Sequence, residues 1–259
     1  MILSKSGWEP PPGNFVWPKD EVHVWRTTLD WPAESVVNLE HILSSDERER
    51  MRGFYFQRDR SCYLIARGLL RILLGRYLDM TPDKLRFDYT PFGKPSLASG
   101  LVQTALQFNV SHSGALLLIA VTAGRALGID VEHIRADIAV GEIATHFFSA
   151  NERSALAKLA RNLQCAAFFN CWTRKEAYIK AIGEGLSLPL DQFDVAFLPG
   201  QAARLLETRP DPAEARRWDL RELDVADDYK AALAVEGSGW RLKCWDWPAP
   251  QGRARGGTS

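Results

Sequence analysis

Apolar and polar positions along this chain follow two rhythms, one of period 3.6 and one of period 2. Over residues 58–78, Leu69, Leu70, Leu73, Leu74, Tyr77 and Leu78 recur at helical spacing and predict one long helix. A second long helix is predicted over 164–182, where Phe168, Trp172, Ile179 and Ile182 form an apolar stripe. Ser44-Ser45-Asp46-Glu47 and Ser149-Ala150-Asn151-Glu152 each set an acid three residues after a serine. In that pattern serine and acid satisfy each other's backbone N–H at a helix start, so helices are predicted to about Gly53 and Ala160. Shorter helices are predicted over 36–43 and 138–148. Strands are predicted over 22–28, 86–89, 108–111, 116–122, 127–132, 193–198, 218–223, 230–235 and 241–245, with turns at Ser113-Gly114 and Gly124.

The order of these elements repeats. Capped helix, long helix and strands after Ser44 are echoed after Ser149. Two similar halves packed together would leave a cleft between them, where small molecules commonly bind. The expected organisation is an N-terminal half over 1–126, a C-terminal half over 127–247 and a disordered Gly/Arg-rich tail over 248–259.

Composition narrows the function classes. The 259 residues are 46% hydrophobic and 25% charged, with 32 basic and 32 acidic side chains. Such a balance gives no polyanion-binding surface by net charge, and no basic-aromatic interleaving suggests nucleic acid. The longest apolar run, 115–121, is too short to cross a bilayer, so no membrane role is expected. Cys62, Cys165, Cys171 and Cys244 form neither a Cys-x-x-Cys pair nor a cluster with histidine. A zinc site and a disulfide framework are therefore disfavoured, and a reducing cytoplasmic setting is expected.

Three stretches carry candidate chemistry. Asp130 and Glu132 alternate on a predicted strand and so share a face. Two adjacent carboxylates repel unless both are solvated or share a cation, and oxygen donors without His or Cys suit Mg²⁺. Glu176 and Lys180 lie one turn apart on the second long helix, with Lys175 one step around, either as a solvated ion pair or as part of a site. Asn109-Val110-Ser111-His112-Ser113-Gly114 ends a strand in hydrogen-bonding groups. Ser111 and His112 face opposite ways on a strand, which argues against a nucleophile–base pair and for anion binding. Lys94 is held in a rigid Gly93-Lys94-Pro95 loop, and no Walker A or dinucleotide fingerprint is present.

Taken with Gly93-Lys94-Pro95, the segment Phe108 to Gly114, then Gly128-Ile129-Asp130-Val131-Glu132, then Trp172-Thr173-Arg174-Lys175-Glu176-Ala177-Tyr178-Ile179-Lys180 match one family in order and spacing. The chain resembles the 4′-phosphopantetheinyl transferases of the long, two-half Sfp type, from about Asp46 to Phe197. That resemblance implies an α+β fold, a pseudo-dimer of two similar α/β halves with the active site in the cleft between them. It implies a holo-carrier-protein synthase, moving 4′-phosphopantetheine from coenzyme A to a serine of an apo acyl or peptidyl carrier protein and releasing adenosine 3′,5′-bisphosphate. By the same resemblance Asp130, Glu132 and Glu176 hold Mg²⁺, for which Mn²⁺ can substitute. Arg50, Lys94, Ser111, His112, Lys175 and Lys180 bind coenzyme A, and Glu176 and Lys180 are the catalytic pair, with Arg67 a lesser candidate for phosphate. A monomer is implied, because each chain carries both halves. Glu47 departs from members with a basic residue there, which rests the 3′-phosphate contact on Arg50 and Arg48. The carrier protein is expected near Arg71, Arg76 and residues 147–152. The other readings are a non-catalytic coenzyme A or carrier adaptor and a Mg²⁺ phosphodiesterase, the latter disfavoured by the neutral charge.

Overall fold

A computed structural model describes residues 7–99, 105–183, 185–209 and 211–250. The first half runs β1 (Glu21–Thr28), α1 (Ala33–Val37), α2 (Ser45–Arg52), α3 (Gln57–Leu78), β2 (Phe87–Tyr89), β3 (Pro95–Leu97), β4 (Leu106–Ser113) and β5 (Leu116–Ala123). The second runs β6 (Leu127–His133), α4 (Val140–Phe147), α5 (Ala150–Ala157), α6 (Arg161–Ile182), β7 (Phe193–Ala196), β8 (Arg204–Thr208), β9 (Trp218–Glu222) and β10 (Tyr229–Glu236), followed by β11 (Arg241–Asp246). The fold is α+β, and its two halves have similar makeup.

The buried clusters define four layers. On one face of the sheet β11-β1-β5-β4, Trp25, Leu117, Ile119 and Val121 pack against Leu69, Leu70, Leu73 and Leu74 of α3. On its other face Val22, Val24, Leu118 and Ala120 meet Ile129, Val131, Leu233 and Val235 of the sheet β6-β10-β9. Beyond that sheet, Ala232 and Ala234 pack under Ala177, Tyr178, Ile179 and Ala181 of α6. Strand β5 is thus covered on both sides, which is why its sequence is continuously apolar rather than alternating.

Both capping boxes form, and each goes further than a cap. The Glu47 carboxylate accepts from the Ser44 N–H and from Arg71 Nε at 2.6 Å, with both side chains of that pair buried. Arg71 then donates to the carbonyls of Pro82 and Leu85. In the second half the Glu152 carboxylate accepts from the Ser149 N–H and pairs with Lys175 at 2.7 Å. Lys175 donates to the carbonyls of Leu190 and Phe193. Each half therefore pins its capped helix, its long helix and the following loop with one buried cation, as a buried carboxylate requires.

Two differences from the expected organisation concern strands. The last strand pairs in parallel with β1, so residues 241–246 complete the first sheet although they lie within the expected second half, 127–247. Strands β3 and β8 add hairpins that the pattern missed because they are short and lack alternation. The tail expected to be disordered lies, from residue 251, outside the described residues.

At Gly128, β6 touches α6 backbone to backbone. A Cβ built there would fall 2.1 Å from the Ala177 carbonyl oxygen and 2.3 Å from the Ala181 nitrogen. Replacing Gly128 by Ala must force helix and strand apart and should cost about 3 kcal/mol or more, read as a lower urea midpoint. An unchanged midpoint would mean that α6 does not sit this close.

Candidate active site

Strand β4 divides its side chains by parity. The even positions Leu106 and Phe108 enter the core, and His112 faces a cleft. The odd positions Asn109, Ser111 and Ser113 turn to β6, where they accept from the N–H groups of Ile129, Val131 and His133 at 2.9, 3.3 and 3.1 Å. The opposite facing of Ser111 and His112 inferred from alternation is what the structure contains.

The acidic cluster lies on β6 and α6. Asp130 is buried, and its Oδ1 accepts from Lys180 Nζ at 2.6 Å and Ser111 Oγ at 2.9 Å. Its Oδ2 is buried with no hydrogen-bond partner. Burial pushes the Asp130 carboxyl up, opposed by Lys180 and Ser111. Glu132 accepts from Ser113 Oγ at 2.7 Å, and burial raises its carboxyl against that bond. Glu176 is half-buried and pushed up to about 7, first by burial and then by the charge of Asp130, with Lys180 opposing. Lys180 keeps 30% of its side chain exposed and has three donors, of which Asp130 and Ser111 take two.

Beside this cluster opens a cleft of about 490 Å³ between α3 and β4. Arg50, Arg58, Arg67 and His112 supply its basic lining, and Phe54 and Tyr63 its aromatic walls. Burial and the charge of Lys180 both hold the His112 ring below its ordinary value. Arg67 sits over the rings of Tyr63, Phe87 and Tyr89.

Four residues behave otherwise than expected. Lys175 is fully buried on Glu152 and two carbonyls, so it braces the second half and cannot reach a phosphate. Lys94 Nζ donates to the carbonyls of Leu127 and Ala181, closing the C-terminal end of α6, and burial lowers its pKa to about 8. The Ser111 hydroxyl is enclosed between Asp130, Lys180 and the Val131 N–H, away from the cleft. Arg71, expected at a docking surface, is the buried partner of Glu47. Arg76, expected beside it, is exposed and lies over the rings of Phe15 and Trp247. Arg50 and His112 line the cleft, and Lys180 lies on Asp130 and Ser111. Arg58, which also lines the cleft, was not singled out in the sequence, and neither were the bonds of Asn109 and Ser113 to β6. The polar run at 107, 109, 111 and 113 was the available signal for the last two.

No group of three His, Cys, Asp or Glu side chains is gathered at metal-holding spacing among the described residues. The Lys180 ammonium stands on Asp130, taking the place of a cation there. The donor set still fits a hard divalent ion, because it is all carboxylate oxygen and one buried Asp130 oxygen is left without a partner.

Similarity to known proteins spans both halves. A family model described as "4'-phosphopantetheinyl transferase superfamily" matches residues 126–234. One described as "4'-phosphopantetheinyl transferase, N-terminal" matches residues 30–124. The chain is 40% identical over 240 residues to 4'-phosphopantetheinyl transferase HetI of Nostoc sp. strain PCC 7120, covering 93% of this chain and 98% of that one. It is 35% identical over 194 residues to 4'-phosphopantetheinyl transferase Sfp of Bacillus subtilis strain 168, covering 74% and 82%. It is 28% identical over 224 residues to the rat L-aminoadipate-semialdehyde dehydrogenase-phosphopantetheinyl transferase, covering 81% and 72%.

Two stability measurements follow from this geometry. Glu176 rises from an ordinary 4.5 to about 7 on folding, so the folded chain holds more protons between those values. Its contribution is full below 4.5 and is lost as pH rises through about 7. In metal-free protein, Glu176→Gln should therefore stabilise at pH 8, by roughly 2–3 kcal/mol, and be neutral near pH 4.5. A gain at pH 4.5 equal to that at pH 8 would contradict the assignment. Lys175→Met strands the buried Glu152 charge and should cost about 3–5 kcal/mol. A melting temperature unchanged by that substitution would mean that Lys175 is not a brace.

Proposed function

The chain belongs to the 4′-phosphopantetheinyl transferase superfamily, and on that premise we propose that it is a holo-carrier-protein synthase. It moves 4′-phosphopantetheine from coenzyme A to a serine hydroxyl of an apo acyl or peptidyl carrier protein. The serine oxygen bonds to the phosphorus next to pantetheine, the pyrophosphate P–O bond breaks, and adenosine 3′,5′-bisphosphate leaves with the electron pair. The observation that carries the reading is the cluster of Asp130, Glu132 and Glu176, closed by Lys180 beside a cleft lined by arginine and histidine.

Phosphoryl transfer of this kind is mainly positioning and charge neutralisation. Arg50 and His112 line the cleft where the phosphate-rich end of coenzyme A is held. Lys180, with a third N–H free of Asp130 and Ser111, is placed to bind pyrophosphate. Glu176, half-buried beside Asp130, takes the serine proton. Asp130 and Glu176, with Glu132 beside them, would hold Mg²⁺, which when bound would neutralise the charge that develops on the leaving bisphosphate as the pyrophosphate linkage of coenzyme A breaks. Because both halves of one chain supply the site, a monomer is the working unit.

Incubation with coenzyme A, Mg²⁺ and an apo carrier protein should raise the carrier's mass by one phosphopantetheine. Glu176→Gln should lower that rate at least about 100-fold while the protein stays folded. His112→Ala should raise the coenzyme A KM more than it lowers kcat. An unmodified carrier with the wild-type protein would overturn the activity. A near-wild-type rate for Glu176→Gln would overturn the proton-acceptor role.

A further inference from the structure

The sheets β11-β1-β5-β4 and β6-β10-β9 each end in an unpaired edge strand, β4 and β6, and these two edges lie side by side. They are joined by side chains of β4 rather than by a backbone ladder. Asn109, Ser111 and Ser113 reach the N–H groups of Ile129, Val131 and His133, one bond per pair of residues. Two of these side chains then make a second bond, Ser111 to Asp130 and Ser113 to Glu132. Each hydroxyl has a single proton, and at Ser113 it goes to Glu132 Oε2 at 2.7 Å while the oxygen accepts from the His133 N–H. Both ends of the Ser113 hydroxyl are thereby fixed.

We infer that Ser113 is a positioning residue for the transfer reaction, holding the Glu132 carboxylate within the acidic cluster beside Asp130. The inference rests on the reading of that cluster as a divalent-cation site. Asp130 and Glu132 lie on one strand face and repel, and Glu132 is the longer and more exposed of the two. Without a donor it would swing toward solvent. Hydroxyl donors to ligating carboxylates act in this way at metal sites generally, and their loss weakens metal binding. Strand β4 is itself held at this end. Tyr229 Oη accepts from the Ala115 N–H at 3.0 Å, and Gly114, at φ 58°, leaves room for that hydroxyl, which a Cβ would approach to 2.6 Å.

The test is Mn²⁺ affinity by electron paramagnetic resonance, with coenzyme A present, for the wild type, Ser113→Ala, Ser113→Thr and Glu132→Gln. Ser113→Ala should bind Mn²⁺ about tenfold or more weakly, and Ser113→Thr, which keeps the hydroxyl, should restore most of the affinity. Coenzyme A affinity without metal, measured by calorimetry, should be the same for Ser113→Ala and the wild type. Melting temperatures identify any variant that fails to fold, and Ser113→Thr then carries the comparison. Wild-type Mn²⁺ affinity in folded Ser113→Ala, with weakened binding in Glu132→Gln, would overturn the positioning role alone. Wild-type affinity in Glu132→Gln would also overturn it, by taking Glu132 out of the site, whereas no Mn²⁺ binding by the wild type would overturn the cation-site reading beneath it.

Discussion

A carboxylate taken out of water must find a cation or hydrogen-bond donors, or else take up a proton. The ion pair of Glu152 and Lys175, with both side chains buried, meets that demand at the centre of the second half. It ties the start of α5 to the middle of α6 and, through the carbonyls of Leu190 and Phe193, to the chain entering β7. The pair of Glu47 and Arg71 does the same between α2, α3 and the loop before β2. The repeat visible in the sequence is thus a repeat of one device, a capping-box glutamate that also anchors a buried cation.

Once Lys175 fixes the rotation of α6, the neighbouring stripe of that helix must face β6. Gly128 lets the helix come close enough for Lys180 to reach Asp130, and Lys94 closes the helix end from a loop of the first half. Three lysines that share a family resemblance therefore have three different jobs. Lys175 braces the half, Lys94 caps the helix, and Lys180 stands at the acidic cluster with a donor to spare. In the metal-free chain, burial and the charge of Asp130 push Glu176 up to about 7.

Much of this was legible in the sequence, and the limits have physical causes. The long helices α3 and α6 were readable because their apolar residues recur at helical spacing, and the caps because Ser and Glu stand three apart. The shared face of Asp130 and Glu132 and the opposed faces of Ser111 and His112 follow from strand geometry alone. The parallel pairing of β11 with β1 was not readable, since pairing across the chain leaves no periodic trace. The burial of Lys175 was misread, although Phe168, Cys171, Lys175, Tyr178 and Ile182 fall at helical spacing on one stripe. A charge on an apolar stripe indicates a buried partner, and the partner, Glu152, was already marked by its capping box.

The claim that carries the most weight is that two lysines of one motif, Lys175 and Lys180, divide into a buried brace and an accessible anion binder. Amine labelling read by mass spectrometry, with and without coenzyme A, separates them in the folded wild-type protein. The account predicts that Lys180 is labelled in the free protein and protected by coenzyme A, while Lys175 stays unlabelled in both states. Labelling of Lys175 in the free protein, relieved by coenzyme A, would contradict it.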